Sequence, residues 1–276
     1  MNSARGIGSY RRTGVRTGFR AGMVLIVAAT FWMSGNSETG VAIRSARAQV
    51  AFDPVAYCLS GGGVGLNPII GTPNGDVING TAGDDCIVGL GGNDVINGGG
   101  GRDQIFAGEG DDVIDGGDGD DVTLDGGPGQ DVIRGGAGND NLAGGDGDDR
   151  LFGGDGNDVI FGGTGQDQLF GEAGDDDLFG EDGDDRLSGG DGDDFLFGGA
   201  GQDFLSGDAG NDDISISGPG TPGEPGDDVA LGGPGNDNLV DCFGHNRFDG
   251  GEGNDTCERD PAATTTTSCE NLLNCR

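Results

Sequence analysis

The sequence predicts an all-β solenoid, a stack of short strands wound around a thin apolar core. Three observations carry that expectation. Of the 276 residues, 65 are Gly; one Asp returns every nine residues; and an Ile or Leu follows it two places later. Ordinary globular chains hold about 7% Gly. Only 33% of this chain is hydrophobic and 6% aromatic, too little for a conventional core over this length. Gly keeps no three-residue period and Pro numbers nine, which excludes collagen. The recurrent Gly also excludes helices, at about 1 kcal/mol each relative to Ala.

The repeat justifies each element in turn. Nine residues from Gly144 read Gly-Gly-Asp-Gly-Asp-Asp-Arg-Leu-Phe, and from Gly153 Gly-Gly-Asp-Gly-Asn-Asp-Val-Ile-Phe. The sixth-place Asp recurs at Asp76, Asp85, Asp94, Asp103, Asp112 and Asp121. After one extra residue it resumes at Asp131, Asp140, Asp149, Asp158, Asp167, Asp176, Asp185, Asp194, Asp203 and Asp212. Three later copies carry Asp228, Asp237 and Asp255. The fourth place is Gly (Gly83, Gly138, Gly147; Asn74 in the first copy), the residue that tolerates the positive φ of a tight turn. The eighth is nearly always Ile or Leu, as in Ile78, Ile87, Leu142, Leu151, Leu169 and Leu205. Places seven to nine are expected to form a very short strand, with the middle side chain inward and its neighbours outward.

The Asp is the chemical part. Acidic residues number 49 against 14 basic ones, a net charge of −35, and 41 of the acids are Asp. That balance argues against nucleic acid and anionic membrane surfaces as partners. It leaves a disordered acidic coil or a solenoid ordered by metal. A carboxylate is a hard oxygen donor suited to Ca2+, which takes about six to eight oxygens, and Gly turns expose carbonyls as further ligands. The short Asp side chain reaches a cation lodged against its own turn. A merely solvated charge has no reason to prefer Asp to Glu, or to keep one place in every copy. Ordering the tract from Asp76 to Asp212 costs more backbone entropy than the inward Ile and Leu return, and charge repulsion opposes folding further. Bound cations must supply a large share of the folding free energy.

These residues match the nonapeptide G-G-x-G-x-D-x-U-x, and the chain resembles the haemolysin-type, or RTX, calcium-binding repeat family. The resemblance implies a right-handed parallel β-roll in which two copies make one turn. It also implies multiple Ca2+ ions held in the turns by sixth-place Asp side chains and turn carbonyls, a role carried to all the Asp residues named above. Family members exported by type I machinery usually have an uncleaved C-terminal signal and few cysteines. This chain departs in both respects and is more similar to small secreted proteins made of little but such repeats.

Residues 1–48 hold seven of the Arg and a single acid, Glu38. Their apolar run, Ala21 to Met33, is short of the roughly 20 residues of a membrane span and suits a signal peptide. Ala46-Arg47-Ala48 has the form of a cleavage site; cleavage nearer Ser34 and a retained anchor are the alternatives. In an exported chain, Cys58, Cys86, Cys242, Cys257, Cys269 and Cys275 read as disulfides. Cys242 and His245 with Cys257 also have elements of a zinc site, to which disulfides capping the roll are preferred. The organisation expected is a signal peptide at 1–48, an N-terminal cap at 49–70 and the roll at 71–217. A linker, degenerate repeats and a Cys-rich C-terminal cap follow at 218–276.

The sequence contains one His, no Lys, and neither G-x-S-x-G nor H-E-x-x-H. The expectation is a secreted, extracellular, non-enzymatic Ca2+-binding protein without a membrane span in its mature part. Adhesion, matrix building and calcium buffering are its possible uses. The rival is an accessory module that stabilises an exported enzyme or toxin, for which the short stretch before the repeats leaves no catalytic domain. An ice-binding solenoid would need an outward Thr ladder, and only Thr123 and Thr256 fall in repeat strands. Outward Phe152, Phe161, Phe170, Phe179 and Phe197, with Phe195 and Phe204 at the seventh place, offer a partner surface for a cell surface or a second copy.

Overall fold

Each copy of the repeat forms one strand and one turn, and successive copies alternate between two parallel sheets. The computed structural model describes residues 53–59, 65–216, 228–241, 246–259, 265–269 and 271–274, all within the unit Glu38–Arg276. The expected signal peptide, the Gly-Pro-rich stretch 218–225 and the pair Cys242 and His245 lie outside the described residues. Among the described residues, sheet A has twelve strands, from Asn67–Ile70 to Asn271–Asn274, and sheet B eleven, from Val77–Asn79 to Thr265–Thr267. Strands pair in parallel with the copy two along, as Leu151 with Leu169 on sheet B and Ile160 with Leu178 on sheet A. Two copies therefore make one coil, which is the β-roll architecture.

The strands are longer than the pattern suggested. Arg150–Asp155 is typical: six residues, places seven to nine of one copy and one to three of the next. Leu151 and Gly153 are buried, while Arg150, Phe152 and Gly154 face outward. The first-place Gly is thus a second inward residue, which a search for apolar side chains overlooks because it has none. The eighth-place residues form one buried stack of Ile and Leu from Ile78 to Ile214, and Ala230, Leu239, Phe248 and Cys257 hold the same place in later copies.

Two places in most copies adopt left-handed backbone. Fourth-place Gly138 and Gly147 have φ of +142° and +139°, whereas Gly83 lies outside that region. Second-place Gly145 and Gly154 have φ of +114° and +118°. Where the second place is not Gly, Leu90, Glu172, Glu181 and Asp208 hold φ of +88°, +75°, +75° and +66°, whereas Thr72 and Thr81 in the first two copies lie outside that region. The extra residue, Val122, is absorbed without loss of register, since Ile105 still pairs with Leu124. Leu205 pairs with Ala230 across the longer separation. Asn67–Ile70 is the first rung of sheet A, and strands from Val229–Gly235 onward extend both sheets.

The helix Pro54–Leu59 is capped by Asp53, whose Oδ1 accepts the Ala56 N–H at 2.9 Å. It buries Cys58 against Cys86, Val88 and Phe106 on the outer face of sheet A. Disulfides join Cys58 to Cys86 and Cys257 to Cys269. Cys242 and Cys275 lie outside the described residues.

The turn geometry makes a sharp contrast between two fourth-place glycines. Gly156 has φ +134°, and a Cβ there would run into the Gly138 carbonyl oxygen; a Cβ on Gly83 would meet nothing within 4 Å. Gly156→Ala should cost at least ~2 kcal/mol, and Gly83→Ala less than ~0.5 kcal/mol. Thermal melting in Ca2+ measures both, and equal shifts would contradict the turn assignment.

Candidate metal centre

Each sixth-place Asp closes a turn and directs its carboxylate inward. From Asp85 to Asp255 all the expected candidates are buried; Asp76, in the first copy, is only half-buried. One oxygen of each carboxylate ties successive coils together. Asp149 Oδ1 accepts the Asp131 N–H at 2.7 Å, Asp167 Oδ1 accepts the Asp149 N–H at 2.8 Å, and Asp185 Oδ1 accepts the Asp167 N–H at 2.9 Å. Because copies alternate between sheets, two such carboxylate rows run the length of the roll, one along each edge. The rows cross the irregular points intact: Asp131 Oδ1 accepts the Asp112 N–H, Asp228 Oδ1 the Asp203 N–H, and Asp255 Oδ1 the Asp237 N–H.

The other oxygen is the chemically open one. In every copy from Asp94 to Asp212, and again in Asp237, Oδ2 is buried without a hydrogen-bond donor. It faces the space beside the first-place Gly of its own copy. A Cβ on Gly162 would stand 2.6 Å from Asp167 Oδ2 and 2.7 Å from the carbonyl oxygen of Gly180. An anionic and a neutral oxygen thus converge in a space that only Gly leaves clear. A buried carboxylate oxygen without a partner is costly, and like charges one rung apart add to that cost. Hard anionic oxygens beside backbone carbonyls form the donor set that Ca2+ takes, so the residues present fit the ion. Among the described residues, no three acidic, His or Cys side chains gather into one metal site. Each ion would therefore draw on few carboxylates and complete its shell from backbone carbonyls.

Burial raises the carboxyl pKa values along both rows. Asp121, Asp158, Asp176 and Asp185 rise to about 7, and Asp149 and Asp167 to about 6, from an ordinary 3.8. Loss of hydration is the main cause. The backbone N–H on Oδ1 pulls the other way, and nearby carboxylates push the values up again.

The first two candidates sit differently from the rest. Asp76 Oδ2 accepts the Thr72 N–H at 2.6 Å and its hydroxyl at 2.8 Å. Asp85 Oδ2 accepts the Thr81 N–H at 2.5 Å and its hydroxyl at 2.9 Å. The protein itself satisfies these two carboxylates. Sequence reasoning also missed a copy. Asn246, buried, holds a sixth place midway between Asp237 and Asp255, and its Oδ1 accepts the Asp228 N–H at 2.9 Å. The nine-residue spacing was the available signal, masked by Asn in place of Asp. A second ladder at the fifth place was missed as well. Asp148 Oδ1 accepts the Gln166 N–H at 2.9 Å, and Asp175 Oδ1 the Asp193 N–H at 3.0 Å. It runs opposite to the sixth-place rows, and the frequent Asp or Asn in that place marks it.

The family model of the RTX calcium-binding nonapeptide repeat matches residues 70–105, 88–122, 123–151, 143–178, 152–187, 179–214 and 222–257, about two-thirds of the chain. No curated protein matches it.

The raised carboxyls set the sign of a pH effect. A carboxyl whose folded pKa exceeds its unfolded value binds more protons in the folded chain. Its contribution to metal-free stability is present below about pH 4 and is lost as pH rises through about 6 to 7. Without Ca2+, circular dichroism should show more β structure near pH 4 than near pH 7.5. With Ca2+, the midpoint concentration should rise about tenfold from pH 7.5 to pH 5.5 as protons compete. A midpoint independent of pH would contradict carboxylate binding.

Proposed function

The chain belongs to the family built on the RTX calcium-binding nonapeptide repeat, and on that premise we propose that it is a structural protein whose roll folds as ions enter its turns. Its repeats bind Ca2+ in multiple turns. The observation that carries the proposal is the unbroken series of buried, donorless Oδ2 atoms from Asp94 to Asp212. In this reading those oxygens and that of Asp237, with first-place and turn carbonyls, hold the ions. Asp228 and Asp255 continue the two rows, and Asp76 and Asp85 close the first coils. The bound ion supplies positive charge where two rows of carboxylates would otherwise repel each other. The role of the roll is structural, not catalytic.

Export fits the same reading. Disulfides such as Cys58–Cys86 and Cys257–Cys269 persist in oxidising compartments, where Ca2+ is also abundant. The basic and then apolar character of residues 1–48 suits a signal peptide. Among the described residues, no helix is long and apolar enough to cross a membrane. A rigid, metal-set roll of this kind serves adhesion or matrix building outside the cell.

Circular dichroism tests the proposal directly. The chelated protein at neutral pH should be largely disordered, and millimolar Ca2+ should convert it to β structure. Mg2+ should be much less effective, because it holds its waters and demands octahedral geometry. A chelated sample with an unchanged β spectrum would sink the proposal.

Position in the array should also matter. Asp167→Ala removes an acceptor for the Asp149 N–H and a mid-row oxygen. It should destabilise the Ca2+-loaded roll by about 1–3 kcal/mol and disturb sites on both sides. Asp76→Ala loses only bonds to the exposed Thr72 and should cost far less. Calcium titrations with equal losses for the two variants would contradict the stacking.

A further inference from the structure

One backbone torsion divides the turns of the roll into two kinds. From Leu90 to Asp208, and again at Gly233, the described second-place residues hold positive φ. The sixth-place Asp four residues on, from Asp94 to Asp212 and at Asp237, has a buried Oδ2 without a hydrogen-bond donor. Thr72 and Thr81 lie outside the positive-φ region. In their turns Oδ2 is satisfied, Asp76 accepting the Thr72 N–H and Asp85 the Thr81 N–H. The match does not depend on Gly. Leu90 precedes Asp94, Glu172 precedes Asp176, Glu181 precedes Asp185 and Asp208 precedes Asp212, each with positive φ and a donorless Oδ2.

The cause is the direction of the second-place N–H. With φ of +118°, Gly199 sends its N–H out of its own turn to the Ile216 carbonyl oxygen, one coil on, at 3.1 Å. Thr81 turns its N–H back onto the Asp of its own turn at 2.5 Å, and its hydroxyl adds a second bond at 2.9 Å. The strands change with it. Asn67–Ile70 and Val77–Asn79, which lead into Thr72 and Thr81, end at the ninth place, whereas Arg150–Asp155 runs on to the third place of the next copy. Residue type accounts for the division, because positive φ is a genuine outlier for a β-branched residue and a smaller cost for an unbranched one. Both Thr are branched at Cβ; Leu90, Glu172, Glu181 and Asp208 are not. The other oxygen of an ion site is already present in the second turn. A Cβ on Gly80 would contact both Asp85 Oδ2 and the Gly98 carbonyl oxygen, the counterparts of the pair that converges beside Gly162.

We infer that the second-place residue decides which turns take Ca2+. Positive φ leaves Oδ2 to the ion; a β-branched residue hands Oδ2 to its own N–H and keeps the ion out. The donated hydrogen carries positive charge at the point where a cation would stand, and the two repel. Thr72 and Thr81 are thus positioning residues that close the first turn of each edge without metal. Ions begin at Asp94, which leads into sheet B, and at Asp103, which leads into sheet A. The inference rests on the proposed binding of Ca2+ by the Oδ2 atoms.

Native mass spectrometry of the full chain in excess Ca2+ counts the bound ions, with circular dichroism on the same samples. Thr81→Gly lets the second turn adopt positive φ and should bind about one ion more than wild type. Leu90→Thr should turn its N–H onto Asp94 Oδ2 and bind about one ion fewer. Thr81→Val, branched but without the hydroxyl, should bind as many as wild type. Where Leu90→Thr gains no β structure in Ca2+, the two Thr81 variants decide alone. An unchanged count in Thr81→Gly, or in folded Leu90→Thr, overturns the inference. A gain in Thr81→Val equal to that of Thr81→Gly also overturns it, since the hydroxyl and not the backbone would then exclude the ion. Wild type that binds no Ca2+ instead overturns the reading of the Oδ2 atoms as ion ligands, and the inference falls with it.

Discussion

Everything in this roll depends on a carboxylate whose two oxygens meet different demands. Oδ1 is bound to the backbone N–H of the preceding coil, which fixes the spacing between coils. Oδ2 is directed into the wall beside the first-place Gly and finds no donor there. The first demand requires a side-chain Oδ1 at the sixth place, which Asp supplies in nearly every copy and Asn246 in one. The second keeps the protein from satisfying it alone. A Glu in the same place would carry its oxygens past both partners, and none of the named copies has Glu there. The small core follows from the same arrangement. Since Asp and Gly occupy the edges of each coil, the interior has room for one apolar side chain per strand, and the stack from Ile78 to Leu239 supplies it.

The backbone accommodates this at some strain. From Leu90 onward the described second-place residues adopt positive φ, because the chain passes directly over the coil below; a Cβ on Gly163 would run into the Gly145 carbonyl oxygen. Leu90, Glu172, Glu181 and Asp208 nonetheless occupy that place, with φ nearer the αL value than the glycines show. Each such residue costs of order 1 kcal/mol or more. The array tolerates them because its neighbours on either side are Gly-based and regular. The outward seventh and ninth places, by contrast, are free of such constraints, and there the copies have diverged into different chemistries.

Most of the fold was legible in the sequence because its period is its structure. The sixth-place Asp, the inward Ile or Leu and the fourth-place Gly each stood out by recurrence; the Ile or Leu lies inward as expected, and the fourth-place Gly adopts positive φ except at Gly83, Gly129 and Gly235. What escaped was whatever carries no side-chain signature. First-place Gly153 is as inward as Leu151, yet only the six-residue strand reveals it. Asn246 escaped because the search followed the charge and not the spacing, although its Oδ1 does the same backbone work as an Asp. Asp76 and Asp85 looked like all the others. Their difference lies in Thr72 and Thr81, second-place residues whose meaning depends on a backbone approach that periodicity alone does not reveal.

Those two threonines bear on how a metal-dependent stack can begin. In a solenoid each repeat is stabilised mainly by its neighbours, so the first coil has no template and gains least from a bound ion. Here the first two carboxylates need no ion, because Thr N–H and hydroxyl groups occupy Oδ2. The same end has the helix Pro54–Leu59, its cluster on Val88 and Phe106, and the Cys58–Cys86 disulfide. Protein contacts alone therefore hold the first rungs in register, with Asp76 and Asp85 donating their N–H groups to Asp94 and Asp103. Asp94 and Asp103 are the first carboxylates whose Oδ2 is left donorless. The change from side-chain to metal satisfaction thus falls where a preformed edge can position the next coil. Ordering by Ca2+ then proceeds onto an existing template, without having to form the first coil from a disordered chain.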